Sequence, residues 1–195
     1  GTVAGDLENP DAKIFFRAAR PGFRTVYLDS LRGGVILRGG SIRVEPLELF
    51  RGDFHSVLDA SLALEKVGGA FKISPDAPVS GRFRGDGFLL EYVGGLFPRT
   101  GKIDGAVSYD IAFNGALSDP RPSGKVEISG FSLISKEGSP LIQGVDIHGV
   151  VRDDIMTLNV QNGSILKQPY TLEAVLNYTP PEFGGTVDLF LAGEK

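Results

Sequence analysis

His55 and His148 are the only imidazoles in this chain of 195 residues, and it contains no cysteine. A zinc site needs three or four His, Cys or carboxylate ligands at characteristic spacings. Two isolated histidines without a His-x-x-x-His pair assign no metal, and a lone histidine in a strand reads as structural. The lack of cysteine removes disulfides and thiol nucleophiles together and leaves the redox compartment open. No Gly-x-Ser-x-Gly elbow and no Gly-x-x-x-x-Gly-Lys-(Ser/Thr) loop occurs, so the usual warrants for hydrolysis and phosphate cradling are missing. Gly81, Gly85 and Gly87 in GRFRGDG lack the strand-to-helix context of a dinucleotide site. Arg-Gly-Asp occurs at Arg51–Asp53 and Arg84–Asp86; it reads as an adhesion motif or, more simply, as a tight turn flanked by charges. Asp153-Asp154 could pair carboxylates for glycoside hydrolysis, but such pairs come from distant strands, and a turn suits this dipeptide better. Asn162-Gly-Ser and Asn177-Tyr-Thr are formal glycosylation sequons of a kind that arises by chance. The expectation is that this chain is not an enzyme and uses no cofactor.

The elements around these residues are strands. Glycine numbers 27 and proline 12, against 13 phenylalanines and 42% apolar residues. That combination suits many short strands joined by tight turns better than disorder. Net charge is −4 with basic and acidic residues interspersed, so no basic stripe points to nucleic acid. No run approaches the roughly 18 apolar residues of a membrane-spanning helix. Alternation is clear in Val107, Tyr109, Ile111 and Phe113, in Leu58, Ala60, Leu62 and Leu64, in Leu172, Ala174, Leu176 and Tyr178, and in Val187, Leu189 and Leu191. Each run has one apolar face. Further strands are expected over 13–20, 34–38, 41–45, 69–74, 79–84, 124–129, 145–151 and 155–160. Turn dipeptides separate them: Gly39-Gly40, Gly68-Gly69, Asp153-Asp154, Asn162-Gly163 and Gly184-Gly185. Short connections of this type predict an antiparallel meander. In GFLLEYVGGLFP the spacing of Leu89, Val93, Leu96 and Phe97 predicts a short helix over 88–97, closed by Pro98.

The chain also repeats itself. Gly-x-Leu-x-x-Pro begins at Gly5 and again at Gly115; LDASLALEK from Leu58 lies over LEAVLNYTP from Leu172, and Arg38-Gly39-Gly40 over Arg152-Asp153-Asp154. Landmarks recurring in one order predict two related units, about 1–110 and 111–195, with the second truncated. Stacked units build a quasi-linear array. Because Gly1 to Gly5 already lie inside this signature, the expectation is an interior piece of a longer chain.

An all-β chain with one apolar face per strand can fold in two ways. The faces of two sheets can meet in a dry sandwich, or one long sheet can bend into a trough with apolar walls. The trough would suit acyl chains, since burying apolar area is worth about 25 cal/mol per Å².

The run from Leu89 to Leu133 decides between them by resemblance. Pro98, then Gly105-Ala106-Val107, then Gly115-Ala116-Leu117-Ser118-Asp119-Pro120 and Gly124-Lys125-Val126 resemble the repeat of the bacterial AsmA-like superfamily, nearest to its TamB family. Leu141 to Tyr178 matches more loosely. The resemblance implies an elongated antiparallel sheet curled into a U-shaped β-groove with a hydrophobic interior, one continuous segment over 1–195. It implies the periplasmic portion of an inner-membrane-anchored protein that bridges inner and outer membranes, passes phospholipid and takes part in outer-membrane protein assembly with an Omp85-type barrel partner. The family's membrane anchor and its barrel-contacting segment are not recognisable in this chain. Val107, Tyr109, Ile111, Phe113, Val126, Ile128, Leu58, Leu62, Leu172 and Leu176 are expected to line the groove. Two other readings stay open: a scaffold whose strand edges accept client strands, and a plain β-sandwich binding module. Unpaired terminal strands would also let the chain self-associate edge to edge.

Overall fold

The computed structural model describes residues 1–4, 11–23, 26–96, 101–153, 155–165, 168–169, 171–177 and 187–192, with side chains for most of these up to Ser164. The described strands are β1 (Thr2–Ala4), β2 (Asp11–Ala19), β3 (Gly22–Phe23), β4 (Val26–Tyr27), β5 (Ser30–Arg38), β6 (Ser41–Arg51), β7 (Phe54–Ala63), β8 (Glu65–Val67), β9 (Ala70–Lys72), β10 (Pro78–Leu89), β11 (Ile103–Ala116), β12 (Asp119–Ile134), β13 (Pro140–Arg152), β14 (Ile155–Gln161), β15 (Ser164–Ile165), β16 (Gln168–Pro169), β17 (Thr171–Asn177) and β18 (Val187–Ala192). A 3-10 helix, Leu90–Leu96, lies between β10 and β11.

One antiparallel sheet dominates. Its strands run β1-β2-β5-β6-β7-β10-β11-β12-β13-β14-β17-β18, a meander in sequence order once the small hairpins β3–β4, β8–β9 and β15–β16 are set aside, the last of these pairing with β13 through β15. β1 and β18 end the path without pairing to each other, so the sheet is not closed into a barrel. Several predicted turns are present: Gly39 and Gly40 have φ of 57° and 70°, and Asp153 takes the same left-handed region at 52°; Asp154 and Gly184-Gly185 lie outside the described residues. Positive φ at such positions matches the turn to the strands' right-handed twist. Bulges interrupt the ladders between Val44 and Leu47, Gly85 and Phe88, Asp104 and Ala106, and Ile128 and Phe131. Each adds local twist and bends its strand.

Alternation is visible in burial. Along β12, Pro120, Pro122, Gly124, Val126 and Ile128 are half-buried, whereas Arg121, Ser123, Lys125 and Glu127 are exposed. Among the described residues, the only other sheets are the two-stranded β3–β4 and β8–β9. Fully buried apolar side chains among the described residues are few: Phe54, Ala77, Val145 and Val160, at 3–6% exposure. A sandwich of this size would bury whole inner faces, so the two-sheet alternative does not describe this chain.

Three local expectations change. The helix predicted over 88–97 is a 3-10 helix starting at Leu90, with Phe88 and Leu89 finishing β10; Gly94-Gly95 is poor α-helix material. Phe97 lies outside the described residues. Pro120 and Pro122 do not break the chain before a strand but belong to β12. That stretch pairs with β11 alone, because β13 reaches no further than Ser123, and a residue lacking N–H is tolerated where one side is open. The first Arg-Gly-Asp does form the β6–β7 turn, with Arg51 opposite Phe54, whereas the second lies inside β10.

Register repeats along the sheet. Thr2↔Lys13, Val3↔Ala12 and Ala4↔Asp11 become Ala112↔Ser123, Phe113↔Pro122 and Asn114↔Arg121 on adding 110 to each number. Ser41↔Ala63, Ile42↔Leu62 and Val44↔Ala60 become Ile155↔Asn177, Met156↔Leu176 and Leu158↔Ala174 on adding 114. The related strands stand six places apart in the sheet.

Candidate functional site

The expected lining residues fall on one face. Leu58 pairs with Phe83, Phe83 with Ile111 and Ile111 with Gly124, so these four positions form one row across four strands. Val151 and Met156 extend it. A neighbouring row runs Ser56, Gly85, Tyr109, Val126, Gly149 and Leu158. Phe113 pairs with Gly81 and Pro122, Val107 with Phe88 and Ile128, and Leu62 with Ile42 and Val79. All eight of Leu58, Leu62, Val107, Tyr109, Ile111, Phe113, Val126 and Ile128 are half-buried. Backbone register continues the face through Leu172, opposite Val160, and Leu176, opposite Met156; their side chains lie outside the described residues.

Rings on this face lie across glycines of the next strand. A Cβ at Gly85 would meet the Tyr109 ring and hydroxyl at 2.7 Å, and one at Gly81 would overlap the Phe113 ring at Cζ. The missing side chains let the rings lie low, which fills the pleat and lowers the relief of the wall. Phe83 packs between them, its ring centroid 4.6 Å from that of Tyr109. The polar tip of Tyr109 is satisfied without water: Ser56, which has 0% exposure, lies 2.7 Å from the Tyr109 hydroxyl and donates to the Arg84 carbonyl at 3.0 Å. Burial raises the Tyr109 hydroxyl above its ordinary value, and the hydrogen bond with Ser56 opposes that rise.

The opposite face carries the charges. Arg82 forms a two-pronged pair with Asp110, Arg32 pairs with Glu48, and Arg38 pairs with Asp11 at 2.6 Å. The Arg82 guanidinium, chiefly by its hydrogen bond, holds Asp110 below the usual carboxylate range. Arg32 does the same to Glu48. Two described concavities, of about 480 and 210 Å³, open on this polar side, beside Arg43, Glu45, Asp59 and Arg82 and beside Asp86, Asp110, Lys125 and Glu127. A third, of about 430 Å³, lies at the β7–β10 connection near Leu64, Ser74 and Asp76. His55 stacks on Phe50 and approaches Glu48 at 3.3 Å, and His148 pairs in register with Glu127 and Asn159. Among the described residues no cluster of His, Asp or Glu could hold a metal ion, and no helix is long and apolar enough to cross a membrane.

Sequence reading missed one cluster, where the β6–β7 turn meets the 3-10 helix. Phe54 and Phe88 pack edge to face at 5.0 Å, and Phe88 meets Tyr92 likewise at 5.7 Å. Arg51 lies 3.6 Å from the centroid of the Tyr92 ring. Its Nη1 is buried without a hydrogen-bond partner. The helix also packs against β4 and the start of β11. Phe54, Phe88 and Tyr92 belong to separate elements, so no periodicity links them.

No family model, curated protein or solved structure matches this chain.

Proposed function

We propose that this chain is a lipid-conducting segment of a bridge between two membranes, passing phospholipid acyl chains along the apolar face of its sheet. One observation carries the reading: rows of Leu, Ile, Val, Phe and Tyr share one face and are only half-buried, and among the described residues no second large sheet lies over them. Acyl chains supply the apolar contact that the sheet lacks, and the low relief of rings over glycine lets them slide past without a deep pocket. The register offsets of 110 and 114 support two six-strand units that extend one wall. A periplasmic setting, with an Omp85-type barrel partner reached through other parts of a longer chain, is part of this proposal and rests on the resemblance.

A second reading has its own support. β1 pairs with β2 only at Asp11–Lys13, so the edge of β2 from Ile14 to Ala19 has no described partner. Such an edge can accept a client strand in outer-membrane protein assembly.

Native mass spectrometry with lipid extraction, on protein purified from bacterial cells, tests both. The expected result is co-purifying phospholipid that is lost in Ile111→Asp, because a carboxylate on the apolar wall is costly to bury beside acyl chains, and kept in Arg17→Pro, whose backbone N–H, like that of Lys13, faces the open edge and not β5. Lipid retained at wild-type level in folded Ile111→Asp would overturn the groove reading. Loss of client binding in Arg17→Pro alone would favour the scaffold.

A further inference from the structure

Among the described residues, one charged side chain stands on the apolar face. Arg51 ends β6 two positions beyond Leu49 and opposite Phe54. Arg32, Arg38, Arg82 and Arg84 all pair with carboxylates. Arg51 instead lies over the Tyr92 ring at 3.6 Å, with Nη1 buried and without an acceptor. A cation over an aromatic ring recovers part of the solvation that a guanidinium loses, yet a sealed N–H without an acceptor remains costly. An oxyanion is the group that satisfies it, and a bidentate one matches the guanidinium fork. Beside Arg51 stand Phe54, opposite it in register, and the ring of Tyr92, with Phe88 packed on both rings; the Asp29 carboxylate is occupied by the backbone N–H of Gly52. Its place is a hairpin end, where the apolar face meets water. A ligand that suits both features has an alkyl body and an anionic head.

We propose that Arg51 binds the anionic head group of an amphiphile whose alkyl tail lies along the face that contains Leu58, Phe83 and Ile111. This rests on the reading of that face as an acyl-chain surface. Entry of the head group exchanges the ring of Tyr92 for an oxyanion, and the part that moves is a single 3-10 helix of seven residues. Its paired glycines, Gly94-Gly95, weaken the helix itself.

Isothermal titration calorimetry of the whole chain with dodecyl phosphate, dodecyl maltoside and inorganic phosphate, each alkyl compound below its micelle concentration, tests the assignment. Dodecyl phosphate is expected to bind about tenfold or more tightly than dodecyl maltoside, the scale of one charge-assisted hydrogen bond, and inorganic phosphate much more weakly than either. Arg51→Gln should remove the preference while leaving dodecyl maltoside affinity unchanged, and Arg51→Lys, which keeps the charge but not the fork, should keep only part of it. Arg51→Met replaces the Gln variant if circular dichroism shows that the latter does not fold. A preference that survives Arg51→Gln, or no preference in the wild type, overturns the Arg51 site while the apolar face stands. Inorganic phosphate binding as tightly as dodecyl phosphate makes it a free-anion site and overturns the link to the tail. Failure of both alkyl compounds to bind overturns the reading of the face, and this assignment with it.

Discussion

Gly85 and Tyr109 show how a residue on this sheet acts through its neighbour. The Tyr109 ring occupies the space where a Gly85 side chain would stand. Gly85→Ala should therefore destabilise the chain by about 1–3 kcal/mol, the usual cost of overpacking. Combining it with Tyr109→Ala should remove most of that increment, and urea unfolding of the four-member cycle reads the coupling directly. Additive losses would show that the ring does not depend on the glycine. On the other face, Asp110 and Glu48 have carboxyls held below their ordinary values of 3.8 and 4.5 by Arg82 and Arg32. A depressed folded-state value stabilises the fold above the ordinary value, and that contribution is lost as pH falls through the depressed one. Thermal melts should thus fall in midpoint below about pH 4, and Asp110→Asn should flatten that decline. A decline unchanged by Asp110→Asn would assign the acid response to other carboxylates.

Strands turn these residues into two surfaces. Because side chains alternate, the pairing of Ile111 with Phe83 and Gly124 places every second residue of β10, β11 and β12 on the apolar wall and its neighbours among the ion pairs. This much was legible beforehand: the alternation at Val107–Phe113 and Leu58–Leu62 marked residues that share one face of the sheet, and Gly39-Gly40 and Asn162-Gly163 marked real turns. Strand ends were less legible. β12 runs for 16 residues through two prolines, because whether a missing N–H matters depends on how far the neighbouring strand reaches. The short helix expected over 88–97 is present as a 3-10 helix over Leu90–Leu96: apolar spacing marked it, and its glycines and its seat against β4 and the β6–β7 turn set its form.

At the scale of the whole molecule, the repeated register yields a pairing that can be tested. Val79 opposite Leu62 in the first unit corresponds to Val187 opposite Leu176 in the second. The junction of β10 with β11, where Gly81 faces Phe113, then transposes to Leu189 of one copy facing Val3 of the next. Such head-to-tail contacts do not close and build linear arrays. The chain has no cysteine, so Val3→Cys/Leu189→Cys under mild oxidation should give a ladder of linked oligomers, while either single variant stops at dimers. The absence of a ladder at high protein concentration would show that these edges do not join in this register.

The amino-acid sequence by itself determined the all-β class, the apolar face, the turn positions and the internal repeat, because each is written in local spacing of period two or in residues tolerant of positive φ. Only the tertiary structure decided that these strands join in one large sheet not closed into a barrel, since one sheet and two sheets satisfy the same alternation. It also decided that Tyr109 finds Ser56 across Gly85, and that Arg51 stands without a carboxylate at the end of the apolar face beneath Tyr92. Those contacts join residues brought together by pairing and bulges, whose distances along the chain carry no periodic signal.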